Sequence, residues 1–198
     1  MGRRIFDPVT KGFDSFVRPS DIVFYDEDDE VSRICRVSSR SKTPVVMWID
    51  GACRGNGRPW AAAGYGVYLG RRSSYNKYGQ LPDSESHTSQ AAEIYAARKA
   101  VKILKKMGDD VCYDGVVIVT DSDYLFRAMT EYVYNWVDNG FVNAKGRPVV
   151  NGYAFEKLHD GICEREDDGI KIRFWKVRRE QNKRADRLAN KALEYLDD

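Results

Sequence analysis

From Pro44 to Leu196 the chain alternates apolar runs with segments whose apolar residues recur every three or four positions. A short continuous apolar run suits a strand covered on both faces, and recurrence at three, four and seven suits an amphipathic helix. On that basis Val45–Asp50 is a first strand, Gly64–Gly70 a second and Ser74–Gln80 a third. They follow one another closely, which predicts an antiparallel meander. A helix is expected over Ser89–Met107, where Ala97, Ala100 and Leu104 fall four, seven and eleven residues after Glu93. Glu93 therefore shares the buried face of its own helix, and Thr88 stands where a cap is expected. Gly115–Thr120 is a fourth strand, and residues 122–139 read as helical with Gly140 as the stop. A shorter helix over Tyr153–Ile162 and a fifth strand over Ile170–Val177 come next. Asn182 is expected to cap a last helix with the stripe Ala185, Leu188, Ala189, Ala192, Leu193 and Leu196.

Helices between strands three and four, and between four and five, imply crossover connections and parallel pairing. The expected class is α/β: a mixed five-stranded sheet, three antiparallel strands followed by parallel additions, with helices on both faces. Residues 1–43 differ from the domain expected over 44–198. They hold Pro8, Pro19, the acidic run Asp26-Glu27-Asp28-Asp29-Glu30 and the polar stretch Ser38–Lys42. Ile22–Tyr25 and Val31–Val37 have strand composition, so the segment reads either as an extension docked on the domain or as a partly disordered tail. The acidic run reads as a solvated loop or, alternatively, as a nucleic-acid mimic covering a basic cleft.

Composition narrows the class. Hydrophobic residues at 42% and charged residues at 31% of 198 describe a soluble globular chain, and a net charge of +2 gives no bulk vote for nucleic acid. Cys35, Cys53, Cys112 and Cys163 contain no Cys-x-x-Cys pair, which argues for free thiols rather than a zinc site or disulfide framework. No run is long or apolar enough to span a membrane, and Met1–Phe6 lacks the apolar core of a signal peptide. An intracellular monomer without a membrane partner is expected.

The candidate chemistry lies in acids placed among apolar residues. Asp50 follows Val45–Ile49, Asp121 follows Val116–Thr120, Glu93 lies in the first turns of one helix and Asp186 in the first turn of the last. A single aspartate at a strand end is ordinarily a turn residue. Four acids in apolar surroundings on separate elements are costly unless a cation joins them, and oxygen donors suit hard divalent ions.

Five segments now stand in order: Ile49-Asp50-Gly51-Ala52-Cys53, Ala63-Gly64-Tyr65-Gly66-Val67-Tyr68, Thr88-Ser89-Gln90-Ala91-Ala92-Glu93, Thr120-Asp121-Ser122-Asp123-Tyr124 and Asn182-Lys183-Arg184-Ala185-Asp186-Arg187-Leu188-Ala189. Together they resemble type I ribonuclease H over about residues 45–196. The resemblance implies a ribonuclease H-like fold and a Mg²⁺-dependent endonuclease that hydrolyses the RNA strand of RNA–DNA hybrids. It implies two Mg²⁺ ions, with Mn²⁺ as a substitute, and products ending in 5′-phosphate and 3′-hydroxyl. The family's metal-binding carboxylates match Asp50, Glu93, Asp121 and Asp186. By resemblance Asp50 bridges the ions, Glu93 and Asp121 serve the one near the leaving oxygen, and Asp186 serves the one that activates water. Asn56, Ser89 and Gln90 match residues that read RNA 2′-hydroxyls. Thr88 and Asn151 match a pocket for a DNA phosphate, and Tyr124 and Tyr132 match aromatics lining the DNA channel. Many members carry a histidine in a glycine-rich loop before the last helix. This chain has Val177-Arg178-Arg179-Glu180-Gln181-Asn182 there, like a subgroup without that histidine, and Arg178, Arg179 and Glu180 are the candidates to assist in its place. The substrate handle is thin in lysine, with Lys145 and Arg147 beside Glu131 and Asp138, which implies modest affinity. Two other readings stay open: a catalytically weak binding or protein-interaction module on this fold, and a nuclease for double-stranded RNA.

Overall fold

The computed structural model describes residues 4–36, 43–112 and 114–194. Its strands are β1 (Val23–Asp26), β2 (Val31–Ile34), β3 (Val45–Arg54), β4 (Ala62–Tyr68), β5 (Lys77–Gln80), β6 (Val116–Thr120) and β7 (Ile172–Lys176). Its helices are α1 (Pro19–Ile22), α2 (Ser89–Met107), α3 (Asp109–Cys112), α4 (Asp123–Arg127), α5 (Val133–Asn139), α6 (Gly152–Asp167) and α7 (Lys183–Lys191). Val37 and Leu196 lie outside the described residues.

β3 organises the sheet. One edge runs parallel to β6, which is in turn parallel to β7. The other edge is antiparallel to β4 from Trp48 to Arg54, and β4 is antiparallel to β5. The five expected strands are thus present in the expected senses. Two more come from the extension. β4 leaves β3 before its first residues, and β2 takes that stretch, setting Ser32 opposite Val46 and Arg33 opposite Val45, with β1 outside it. At the far side, Phe6 N donates to Phe174 O and Phe174 N to Arg4 O, each at 2.8 Å, along the open edge of β7. Residues 4–36 therefore pack on the sheet and occupy edges that would otherwise present unpaired backbone groups.

Alternation along the central strands sorts the core into two layers. Val45, Met47, Ile49, Ile118 and Phe174 face α2, α4, α5 and α6, packing on Ile94, Leu104, Leu125, Phe155 and Leu158. Val46, Trp48, Val117, Val119 and Trp175 face the other way, under Ala185 of α7 and under Phe6, Ile22 and Ile34 of the extension.

Several details differ from expectation: β3 runs on to Arg54, and α7 ends at Lys191, short of Ala192 and Leu193 of the expected stripe. Residues 123–139 are helical throughout, as expected, and stop at Gly140, but a π-helical turn over Ala128–Tyr132 lies between α4 and α5. Thr130 Oγ1 donates to Phe126 O at 2.7 Å there, competing for a carbonyl of the helical ladder. The third strand begins at Lys77 because Asn76 is used in the preceding turn, bonding Leu69 N and Gly70 O. α6 runs to Asp167, beyond its apolar stripe, where Glu166 is held by Arg4. The acidic run builds the β1–β2 hairpin: Asp26 and Asp29 pair with buried Arg33, and Glu30 accepts from Ser74 Oγ at 2.6 Å. Three of its five acids are thus engaged in the hairpin and at Ser74, which favours the reading as a structural loop over the mimic. No helix of the described residues is long and apolar enough to cross a membrane.

Candidate active site

Asp50 lies on β3 two positions after Trp48, so alternation turns it towards α7. The last pair between β3 and β6 is Trp48 with Val119, and Asp50 and Asp121 each follow two residues later. The parallel register therefore brings these two acids side by side. Two glycines admit the other two. A Cβ at Gly51 would fall 2.3 Å from Glu93 N and 2.4 Å from Ala92 C, so only glycine lets the start of α2 cross β3 this closely. A Cβ at Gly66 would fall 2.5 Å from Ala185 O, and its absence seats α7, with Asp186, on β4.

The electrostatics record the convergence. Burial, followed by the charge of Asp121, pushes Asp50 up to about 8, with Asp186 and Glu93 adding to the rise and the Gly51 N–H, donating at 2.8 Å, opposing it. Burial pushes Glu93 up to about 7, against a hydrogen bond from Ser122 and with help from the charge of Asp121. Like charges in a poorly solvated site retain protons near neutrality unless a cation offsets them.

Each of the other acids has its own holder. The Ser122 hydroxyl donates to Glu93 while accepting from Leu125 N at 3.1 Å, so it caps α4 and fixes the carboxylate together. Asn182 is buried, and its Nδ2 donates to Asp121 Oδ1 at 2.6 Å and to Ile49 O at 2.9 Å. Asp186 accepts from Asn190 Nδ2 at 3.3 Å and lies 3.6 Å from the Arg179 guanidinium. The expected side-chain cap by Asn182 is not what forms. The residue sits at the cap position and its carbonyl accepts from Asp186 N at 3.2 Å, but its amide serves Asp121. A bond to a carboxylate is stronger than a neutral capping bond, which explains the choice. The roles of Ser122 and Asn182 escaped the sequence reading. The available signals were adjacency to Asp121 and a position four residues before Asp186.

Among the described residues, no group of three or more His, Cys, Asp or Glu side chains is already drawn into a metal cage. The donor set nevertheless fits Mg²⁺, which keeps several waters and binds through one or two carboxylates together with substrate phosphate rather than in an all-protein cage.

The candidate substrate residues fall into groups. Asn56 Oδ1 accepts from Ser89 N at 3.4 Å, joining the β3–β4 turn to the start of α2, and Gln90 is exposed beside them. The Thr88 hydroxyl caps α2 as expected, accepting from Ala91 N at 3.1 Å. The Tyr124 hydroxyl donates to Val150 O at 3.0 Å and receives Asn151 Nδ2 at 3.4 Å, while its ring meets Phe155 edge-on. Tyr132 is exposed and lies against Trp136. Of Arg178, Arg179 and Glu180, all exposed, Arg179 is the one placed against a site acid. Lys176, at the end of β7, pairs with Asp123.

Comparisons with known proteins agree with this geometry. The family model described as RNase H matches residues 42–194. Ribonuclease H of Pelobacter propionicus is 35% identical over 156 residues, covering 78% of this chain and 88% of that protein. Ribonuclease H1 of Homo sapiens is 34% identical over 158 residues, covering 78% of this chain and 51% of that protein, so the chain spans about half the length of the human relative. Among solved structures, a foamy viral protease-reverse transcriptase in complex with RNA/DNA hybrid superposes with a TM-score of 0.61 at 26% identity, over 76% of this chain and 20% of that one. LC11-RNase H1 in complex with RNA/DNA hybrid shares the fold, with a TM-score of 0.58 at 23% identity over 77% of this chain and 99% of that one. With four acids gathered at one end of a matching sheet, and the family match spanning most of its length, this chain belongs to the RNase H family.

Proposed function

We propose that this chain hydrolyses the RNA strand of RNA–DNA hybrids, using two divalent ions held by Asp50, Glu93, Asp121 and Asp186. The observation that carries the reading is the convergence of the four acids: the parallel register sets Asp50 beside Asp121, and Gly51 and Gly66 admit α2 with Glu93 and α7 with Asp186. A binding module has no use for that electrostatic burden. Bound Mg²⁺ would supply charge neutralisation at the scissile phosphate and an activated water, leaving 5′-phosphate and 3′-hydroxyl ends.

The chain's own groups do the rest. Asp50 and Asp121 present carboxylate oxygens from adjacent strands, held by the Gly51 N–H and by Asn182. Ser122 orients Glu93. Of the three loop candidates, Arg179, whose guanidinium lies 3.6 Å from Asp186, is our choice to assist in place of the loop histidine. Asn56, Ser89 and Gln90 offer amide and hydroxyl groups suited to 2′-hydroxyls, which both donate and accept. Two of the relatives by fold were solved on RNA/DNA hybrid, which supports this substrate.

The test is cleavage of end-labelled RNA–DNA hybrid, double-stranded RNA and double-stranded DNA with Mg²⁺ by wild type and Asp121→Asn. Cutting confined to the hybrid and lost in the variant is expected. Binding without cutting in both proteins would sink the enzymatic reading, and cutting of double-stranded RNA alone would replace its substrate.

A further inference from the structure

The β3–β4 turn carries an indole that the fold does not bury. Trp60 is 69% exposed, against 9% for Trp48 and 7% for Trp175, and Trp136 packs on Phe141 and Phe155. The ring is nonetheless held. Gly55 has φ 62°, and a Cβ built there would fall 2.1 Å from Cζ3 and 2.5 Å from Cε3 of Trp60. The six-membered ring therefore lies against the Gly55 backbone with one face and leaves the other open. Arg58 N donates to Gly55 O at 2.8 Å and Ala61 N to Arg58 O at 3.0 Å, so the turn beneath the ring is hydrogen-bonded. A braced aromatic with few rotamers gives contact area at low entropic cost.

The position of the indole indicates what it meets. The same turn holds Asn56, which accepts from Ser89 N and so ties the turn to the first turn of α2. From Arg54 to Trp60 the chain carries two arginines and no acid. A polyanion following the surface past Asn56 and Ser89 would pass the open face of Trp60.

We propose that Trp60 is a further contact for the hybrid, its open face packing on sugars of the RNA strand in the minor groove. This rests on the hybrid-cutting reading above. The minor groove of an A-like duplex is wide and shallow and displays its sugars, which a flat apolar ring can cover, while neighbouring arginines answer the phosphates.

Steady-state cleavage of a hybrid with Mg²⁺ tests it, using wild type, Trp60→Ala, Gly55→Ala and Gly57→Ala. Trp60→Ala is expected to raise KM roughly five- to tenfold while kcat holds. Gly55→Ala should move KM the same way by displacing the ring. Gly57→Ala should not, since Gly57 has φ 80° but nothing within 4 Å of its Cβ position, which makes it the control for backbone strain. Titration of hybrid in chelator should quench indole emission in wild type and lose most of that quench in Trp60→Phe. If wild type cuts hybrid while Trp60→Ala keeps its KM and Trp60→Phe keeps the quench, the contact is wrong and the function stands. If wild type cuts no hybrid, the functional reading fails first and takes this inference with it.

Discussion

Burial and the charge of Asp121 hold Asp50 near 8, against an ordinary value of 3.8. Between those two pH values the folded protein keeps a proton that the unfolded chain releases. Stability therefore falls as pH rises through the window, by the linkage of proton binding to folding. Glu93 acts in the same sense between 4.5 and about 7. In chelator, Asp50→Asn should be more stable than wild type at pH 8, by about 2–5 kcal/mol, with the gap closing towards pH 4. Thermal unfolding across that range measures it, and equal melting at pH 8 would show that Asp50 is not so perturbed. Added Mg²⁺ should raise the melting point of wild type far more than that of the variant. Asp50 and Asp121 were legible in the sequence because each ends an apolar run, Glu93 because it shares the buried face of its helix, and Asp186 because it stands in the first turn of the last helix. Their proton affinities were not, since these depend on distances between residues far apart in the chain.

At the scale of elements, the site joins β3, β6, α2 and α7, and Asn182 ties three of these together. Its amide reaches Asp121 after β6 and the Ile49 carbonyl on β3, while its own carbonyl begins α7. Asn182→Ala would leave a buried carbonyl unpaired and Asp121 unheld, costing about 1–3 kcal/mol. It should also raise the Mg²⁺ concentration needed for half-maximal cleavage while the KM for hybrid stays put. A lowered melting point with an unmoved Mg²⁺ dependence would reduce Asn182 to a structural role. The helix itself was predictable from the stripe Ala185, Leu188 and Ala189. The task of its first residue was not, because asparagine before a helix ordinarily means a cap.

Across the whole molecule, the extension is the part that sequence pattern left open. Arg4 is 3% exposed, donates to Glu166 at 2.7 and 3.1 Å, and reaches His159 Nδ1 at 2.9 Å on α6. Phe6, Ile22 and Ile34 cover the sheet face that α7 does not fill. Glu166, 24% exposed, would keep some solvent after losing its partner, so Arg4→Ala should cost about 1–3 kcal/mol in denaturant unfolding. Deleting residues 1–43 should lower the melting temperature and cause self-association through the bared edge of β7 and the face around Trp48 and Trp175. A truncated protein that melts like wild type and stays monomeric by sizing chromatography would show that the extension is not a cover.

The sequence by itself determined the five central strands and the main helices, which are written in local periodicity, where burial on one face or two dictates which positions are apolar. The order of the elements gave the strand senses, and resemblance to a family singled out the four acids. Only the tertiary structure decided that β2 completes the edge of β3, that Arg4–Phe6 close the edge of β7, and that Ser122 and Asn182 hold the acids. It also decided that Trp60 lies on Gly55 with one face free. Each of these is a meeting of residues distant in sequence, and no periodic signal records it. Such contacts are selected by the packing of the assembled sheet, after local preference has been spent.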